Sequence, residues 1–229
     1  MGPQLTGLAR KFMIISSMGV ALYSLRYAGV LGGAWPLIDA GIRGVVMLVP
    51  VQALTHMLIA PIALLIGPLQ FIQGLRARHL RLHRIVGRVY VVSCLIAGTA
   101  GLATALHASG GPIAGVGFGM LAVCWIGVTL GGWWAAVQRR IELHRLLMRL
   151  SYALTFSAVT LRLQIPIGFA LGASSYSTMS VWLAYTAWIP NLLAVAIYSV
   201  VEKRRADPIG ARGTMATMLP SVSSIDFRR

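Results

Sequence analysis

Apolar residues run through this chain in stretches of about 20 or more, the length a helix needs to cross roughly 30 Å of hydrocarbon. Polar residues collect in the short gaps between them. A window of that length predicts six spans, at 11–33, 45–73, 84–106, 113–137, 146–171 and 178–201. In hydrocarbon each span must satisfy its backbone internally, so the expected fold is all-α, a polytopic membrane bundle with six transmembrane helices. Residues 1–10 read as an N-terminal segment, 11–201 as the membrane domain and 202–229 as a flexible basic tail without apolar periodicity. The second span is over-long and carries Pro50, Pro61 and the pair Gly67-Pro68, which predicts a tilt or kink.

Composition agrees with lipid as the solvent: 57% apolar residues, 11% charged and a mean hydropathy of +0.77. Cys94 and Cys124 both fall inside apolar runs and read as small packing residues. Glycine is dense in the fourth span, at Gly115, Gly117, Gly119, Gly127, Gly131 and Gly132, spacing that suits close helix approach within the bundle.

Charge then sets an orientation. All of the twenty Lys and Arg except Arg26, Arg43 and Arg162 lie near the N-terminus, between spans two and three, between four and five, or in the tail. The other loops hold only Arg43 and Asp39. Loop Lys and Arg stay cytoplasmic during insertion, so both termini are expected in the cytoplasm. A net charge of +15 raises nucleic acid as a partner, but the basic loops lack the interleaved aromatics of a single-strand binder. Anionic lipids at the cytoplasmic face are the expected partner instead.

Two polar constellations remain. Leu82-His83-Arg84-x-x-x-Arg88-x-Tyr90 is echoed by Leu143-His144-Arg145-x-x-x-Arg149-x-x-Tyr152, each at the basic-side start of a span. Both helix starts direct free N–H groups to one interface, so these residues form a candidate site for an anion or lipid headgroup. His83 and His144 are the histidines a haem would use there; anchoring at the interface is the alternative. The second constellation lies deeper. Helical rise places Arg26, His56 and Arg162 at similar depth in the outer third of the bilayer, with Tyr23, Tyr27, Gln52 and Gln164 near them. A charge at the centre of a span costs about 2.5–3.5 kcal/mol on insertion scales, and no Asp or Glu occurs within these spans to offset it. Asp39 is the one acid placed to fold down onto the cluster. Otherwise the missing counter-charge belongs to a ligand.

The runs HMLIAPIALLIGPLQF, LHRIVGRVYVVSCLIAGTAGL, HRLLMRLSYALTFSAVTLRL and WIPNLL resemble a bacterial family of predicted inner-membrane proteins catalogued as domain of unknown function 2306. The likeness extends over about residues 20–200 and implies family motif positions at His56, His83, Arg84, Gly87, Arg88, Tyr90, His144, Met148, Tyr152, Thr155, Arg162 and Asn191. Leu146 and Leu147 depart from it, standing where a basic residue and an aromatic are expected. The resemblance implies a multi-pass protein of the bacterial inner, cytoplasmic membrane, and implies no reaction.

Three functions follow as expectations. The first is binding of a small anionic or amphipathic ligand (a lipid, a quinone or a carboxylate) at the deep cluster, as a subunit or a transporter. The second is a b-type haem redox protein with histidine axial ligands. The third is a non-catalytic assembly subunit that partners a larger membrane complex. No Ser, Asp or Glu is arranged with a histidine to activate a nucleophile, so no catalytic residue is named and the chain is not expected to be an enzyme outside the haem or quinone reading.

Overall fold

The computed structural model describes residues 3–33 and 40–206, and every regular element among them is helical. Asp39 and the tail from residue 207 onward lie outside the described residues. Six stretches are long and apolar enough to cross a membrane: Gly7–Gly32, Pro50–Phe71, Leu80–Ala105, Gly111–Val137, Ile141–Ala170 and Tyr176–Glu202. They fall on the six spans expected from hydropathy.

The first span is helix α1 (Pro3–Ser24), which tightens into a 3-10 turn over Leu25–Gly32 and stops at Gly33, whose φ of 85° suits a residue without a side chain. The second differs from expectation. Residues 45–48 belong to a separate short helix, α2 (Ala40–Leu48), and Val49 leaves the helical region at φ −135°, ψ 65° because Pro50 follows it. Helix α3 (Pro50–Ile66) then runs through Pro61 and tightens into 3-10 geometry at Gly67–Phe71. A short α4 (Gln73–Arg78) leads into α5 (Leu80–Ala105), followed by α6 (Gly111–Val137).

The last two spans are each broken. Helices α7 (Ile141–Thr155) and α8 (Ser157–Ala170) meet at Phe156, and α9 (Tyr176–Thr186) gives way to α10 (Ile189–Ala206). Pro190 sits in the first turn of α10, where its missing N–H is not needed. Helix α10 carries on through Glu202 to Ala206, so residues 202–206, expected in the tail, are helical.

The break at Phe156 divides the bundle into two halves of different character. Toward the arginine-rich end, α7 packs along α6, touches α3 and α10, and fills the middle. The core there contains Ala63, Tyr90, Cys94, Trp125, Tyr152, Leu154 and Trp188, with Cys124 packed against it. Toward the opposite end, α8 swings away to lie against α1 and α9, while α9 rests on α6. Neighbouring pairs α1 and α3, α3 and α5, and α5 and α6 complete a ring of helices at this end.

Close approach relies on small residues, as it does between helices in a solvent as apolar as themselves. A Cβ on Gly67 would run into the Tyr152 ring, one on Gly117 would meet Ala184 at 2.7 Å, and one on Gly132 would meet Met148 at 2.7 Å. Of the glycines in α6, Gly127 faces open space, and the others named for that span touch bundle neighbours except where only an ordinary contact is made, as at Gly119. The outward faces stay apolar: Leu8, Phe12, Ile15, Met18 and Leu22 form an exposed stripe at helical spacing on α1.

Candidate functional site

The ring of helices encloses a cavity of about 680 Å³. Its wall includes Arg26, His56, Arg162, Tyr23 and Tyr27, five of the seven residues expected at the deep site. The other two are elsewhere. Gln52 is exposed on α3. Gln164 ties α8 to α9, donating to the Thr186 carbonyl at 3.2 Å and accepting from the Thr186 hydroxyl at 3.0 Å. Residue depth was readable from helical rise; which side of a helix faces inward depended on neighbours the sequence does not specify.

Arg26 is positioned by the 3-10 turn that ends span one. Tyr23, three residues earlier in the last turn of α1, is a neighbour on the same helix face, and the guanidinium lies over its ring at 3.9 Å from the centroid, with Tyr27 at 4.9 Å. Its Nη1 donates to the Tyr23 hydroxyl and its Nη2 to the Tyr27 hydroxyl at 3.0 Å. The remaining Nε is buried and has no hydrogen-bond partner. Arg162 curls back along α8, donating from Nη1 to the Ala158 carbonyl at 3.0 Å and from Nη2 to the Ser24 hydroxyl at 3.3 Å. Ser24 can accept because its own proton goes to the Val20 carbonyl at 2.8 Å.

His56 donates from Nδ1 to the Ala97 carbonyl at 2.8 Å, which leaves Nε2 as the free ring nitrogen. The imidazole lies against α5 where Gly101 makes room; a Cβ there would stand 2.7 Å from Nδ1. Gly101 was not singled out from sequence. The signal was available only as one glycine among many. Two prolines also border the cavity. Pro61 and Pro166 lack the N–H groups that would bond the carbonyls of Met57 and Arg162, both of which belong to the wall.

Among the described residues, no Asp or Glu lines the cavity. The cations' partners are two phenols, a serine and a backbone carbonyl. None of these carries charge, so two guanidinium groups face a largely apolar cavity without a counter-ion among the described residues.

The interfacial cluster has a different character. Arg145 pairs with Glu142 at 2.7 Å, and Arg149 reaches both carboxylate oxygens of Glu202 on α10. Those acids already offset two of the cations expected to meet an anion. His144 donates from Nδ1 to the Gly132 carbonyl at 2.8 Å, fastening α7 to α6. Arg84 and Arg88 are exposed on the first turns of α5, and His83 is half-buried beside them. Among the described residues no group of three His, Cys, Asp or Glu side chains converges as a metal site would need.

Between the two lies a feature the sequence reading missed as a unit. Tyr90, Trp125, Thr129, Ser151 and Thr155 form a buried hydroxyl network joining α5, α6 and α7. Its direction can be worked out. Thr155 donates to the Ser151 carbonyl at 3.0 Å, so its oxygen must accept from Tyr90 at 2.8 Å and from Trp125 Nε1 at 2.9 Å. Tyr90 then accepts from Ser151 at 2.9 Å, and Ser151 from Thr129 at 2.7 Å. Every proton has a destination. Trp125 and Thr155 also floor the cavity, so the network closes its inner end.

Comparison with known proteins gives one match. The family described as DUF2306, Predicted membrane protein, matches residues 53–199, which takes in His56, the hydroxyl network and Arg162 and leaves out Arg26. No curated protein and no solved structure matches the chain.

Proposed function

The chain belongs to the DUF2306 family of predicted membrane proteins, and on that footing we propose that it binds a small anionic or amphipathic molecule in the cavity between its helices. The observation that supports this reading is the pair Arg26 and Arg162, which share one cavity wall with His56 and find only neutral partners. Buried ionisable groups in membrane helices normally pair with one another or mark a ligand path. These two have the same sign, so they cannot neutralise each other. An anion between them would.

In this reading both termini lie in the cytoplasm of a bacterium, the cavity opens toward the outer leaflet of the inner membrane, and the arginine-rich end rests on anionic lipid headgroups. Binding serves a transport or subunit role, and no reaction is assigned.

The test is extraction of small molecules from the purified full-length protein by mass spectrometry, beside the Arg26→Gln/Arg162→Gln variant. An anionic molecule retained by the wild type and lost from the variant supports the reading. Equal retention by both overturns it. So does a loss of stability in Asp39→Asn that matches the loss in the double variant, since Asp39 would then be the counter-charge.

A further inference from the structure

The shape of the cavity narrows the ligand. Its lining follows α3 from His56 to Leu64, about 12 Å at 1.5 Å per residue, and runs from Leu154 to Phe169 across the break between α7 and α8. Charge is confined to one level of this slot, at Arg26, His56 and Arg162. Inward of that level the wall is mostly apolar, with Ala60, Leu64, Leu121, Ala122, Trp125 and Leu154, and the Thr155 hydroxyl there is already engaged in the buried network. A compact anion such as acetate or inorganic phosphate would satisfy the arginines and leave this inner chamber unfilled.

We propose that the ligand is a single-chain amphiphile with a carboxylate or phosphate head, its head between Arg26 and Arg162 and its chain directed inward along α3 and α7 toward Trp125. This rests on the anion-binding reading above and adds the chain. A volume of about 680 Å³ sits within the range of roughly 300–1,000 Å³ usual for sites that enclose one small ligand. A quinone head fits less well, because a neutral group leaves both positive charges uncompensated in a low-dielectric site. Ala60 and Ala122 border the inner part of the cavity with small side chains.

The experiment uses full-length protein in phosphatidylcholine nanodiscs and titrates dodecanoate, dodecyl phosphate, dodecanol, acetate and inorganic phosphate by calorimetry. Saturable one-to-one binding of a twelve-carbon anion, at least tenfold tighter than dodecanol and than the matching short anion, is expected. Whichever of dodecanoate and dodecyl phosphate binds tighter identifies the head. Acetate or phosphate binding as tightly as its long-chain counterpart would overturn the chain and leave the anion site standing. Dodecanol binding as tightly as dodecanoate, or no binding by any anion, would overturn both. Ala122→Phe supplies an independent readout of where the chain lies: it should weaken dodecanoate at least tenfold while leaving octanoate within threefold. Equal weakening of both chain lengths would place the chain elsewhere and sink the proposal.

Discussion

Two polar layers cross this bundle side by side, and they are built on opposite terms. In the hydroxyl layer of Tyr90, Thr129, Ser151, Thr155 and Trp125, all groups are neutral and each donated proton meets an acceptor within the protein. In the cationic layer of Arg26, His56 and Arg162, the groups are charged or chargeable, and their partners are neutral. The first layer sits where α7 fills the middle of the bundle; the second sits where α8 has moved away and left a cavity. A satisfied network holds helices together. A layer of uncompensated charge beside a cavity is what the proposed binding rests on.

If that contrast is right, substitutions in the two layers should separate stability from binding. The largest effect is expected from Arg26→Leu/Arg162→Leu. Anionic ligand affinity should fall by 100-fold or more, about 2.7 kcal/mol, while insertion and thermal unfolding in detergent stay at wild-type levels. A cooperative loss of folding, with no ligand ever found, would make the cationic layer structural and erase the distinction.

Gly67→Ala comes next, on the other side of the comparison. Its Cβ would collide with the Tyr152 ring, so overpacking should destabilise the arginine-rich half by about 1–3 kcal/mol in reversible unfolding. Anion affinity of the folded fraction should be unchanged. Tyr90→Phe removes the proton that Thr155 receives and the oxygen that Ser151 donates to. Hydrogen bonds between membrane helices average about 0.6 kcal/mol, so a loss near 1 kcal/mol is expected, again without a change in affinity. A large drop in binding would show that the hydroxyl layer belongs to the site.

Gly101→Ala probes the boundary between the layers. Displacing the His56 ring from Ala97 should cost about 1 kcal/mol, the worth of one hydrogen bond, and weaken binding by a few fold. The smallest effect is expected at the interface. Arg149→Ala breaks a partly exposed pair with Glu202, and such pairs contribute about 0–1 kcal/mol, so unfolding should shift little and less still at high salt.

Parts of both layers were legible in the chain. Arg26, His56 and Arg162 stand out because charge is costly within an apolar run, and helical rise gives their depth without any structure. Tyr90 entered as the end of the echoed basic motif and Thr155 only through a family resemblance, and Ser151, Thr129 and Trp125 went unnoticed, since a hydroxyl or indole in a membrane helix is cheap enough to be unremarkable alone. Gln52 and Gln164 were expected beside the cluster, and the structure has Gln52 exposed on α3 and Gln164 bonded to Thr186. Glu142 and Arg145 stand three apart on one helix, a pairing the chain itself offers, whereas the pairing of Glu202 with Arg149 needed α7 and α10 to be neighbours.

Hydropathy by itself determined six helical spans, because a backbone in hydrocarbon has one way to satisfy itself within a single segment. It also determined the heights of the charged residues, because helical rise is fixed. Tertiary structure decided that α7 and α8 part at Phe156, that five of the expected residues face one cavity, and that Gly101 makes room for His56. Those outcomes depend on side-chain volumes meeting across different helices, and packing of that kind carries no periodic trace along the chain.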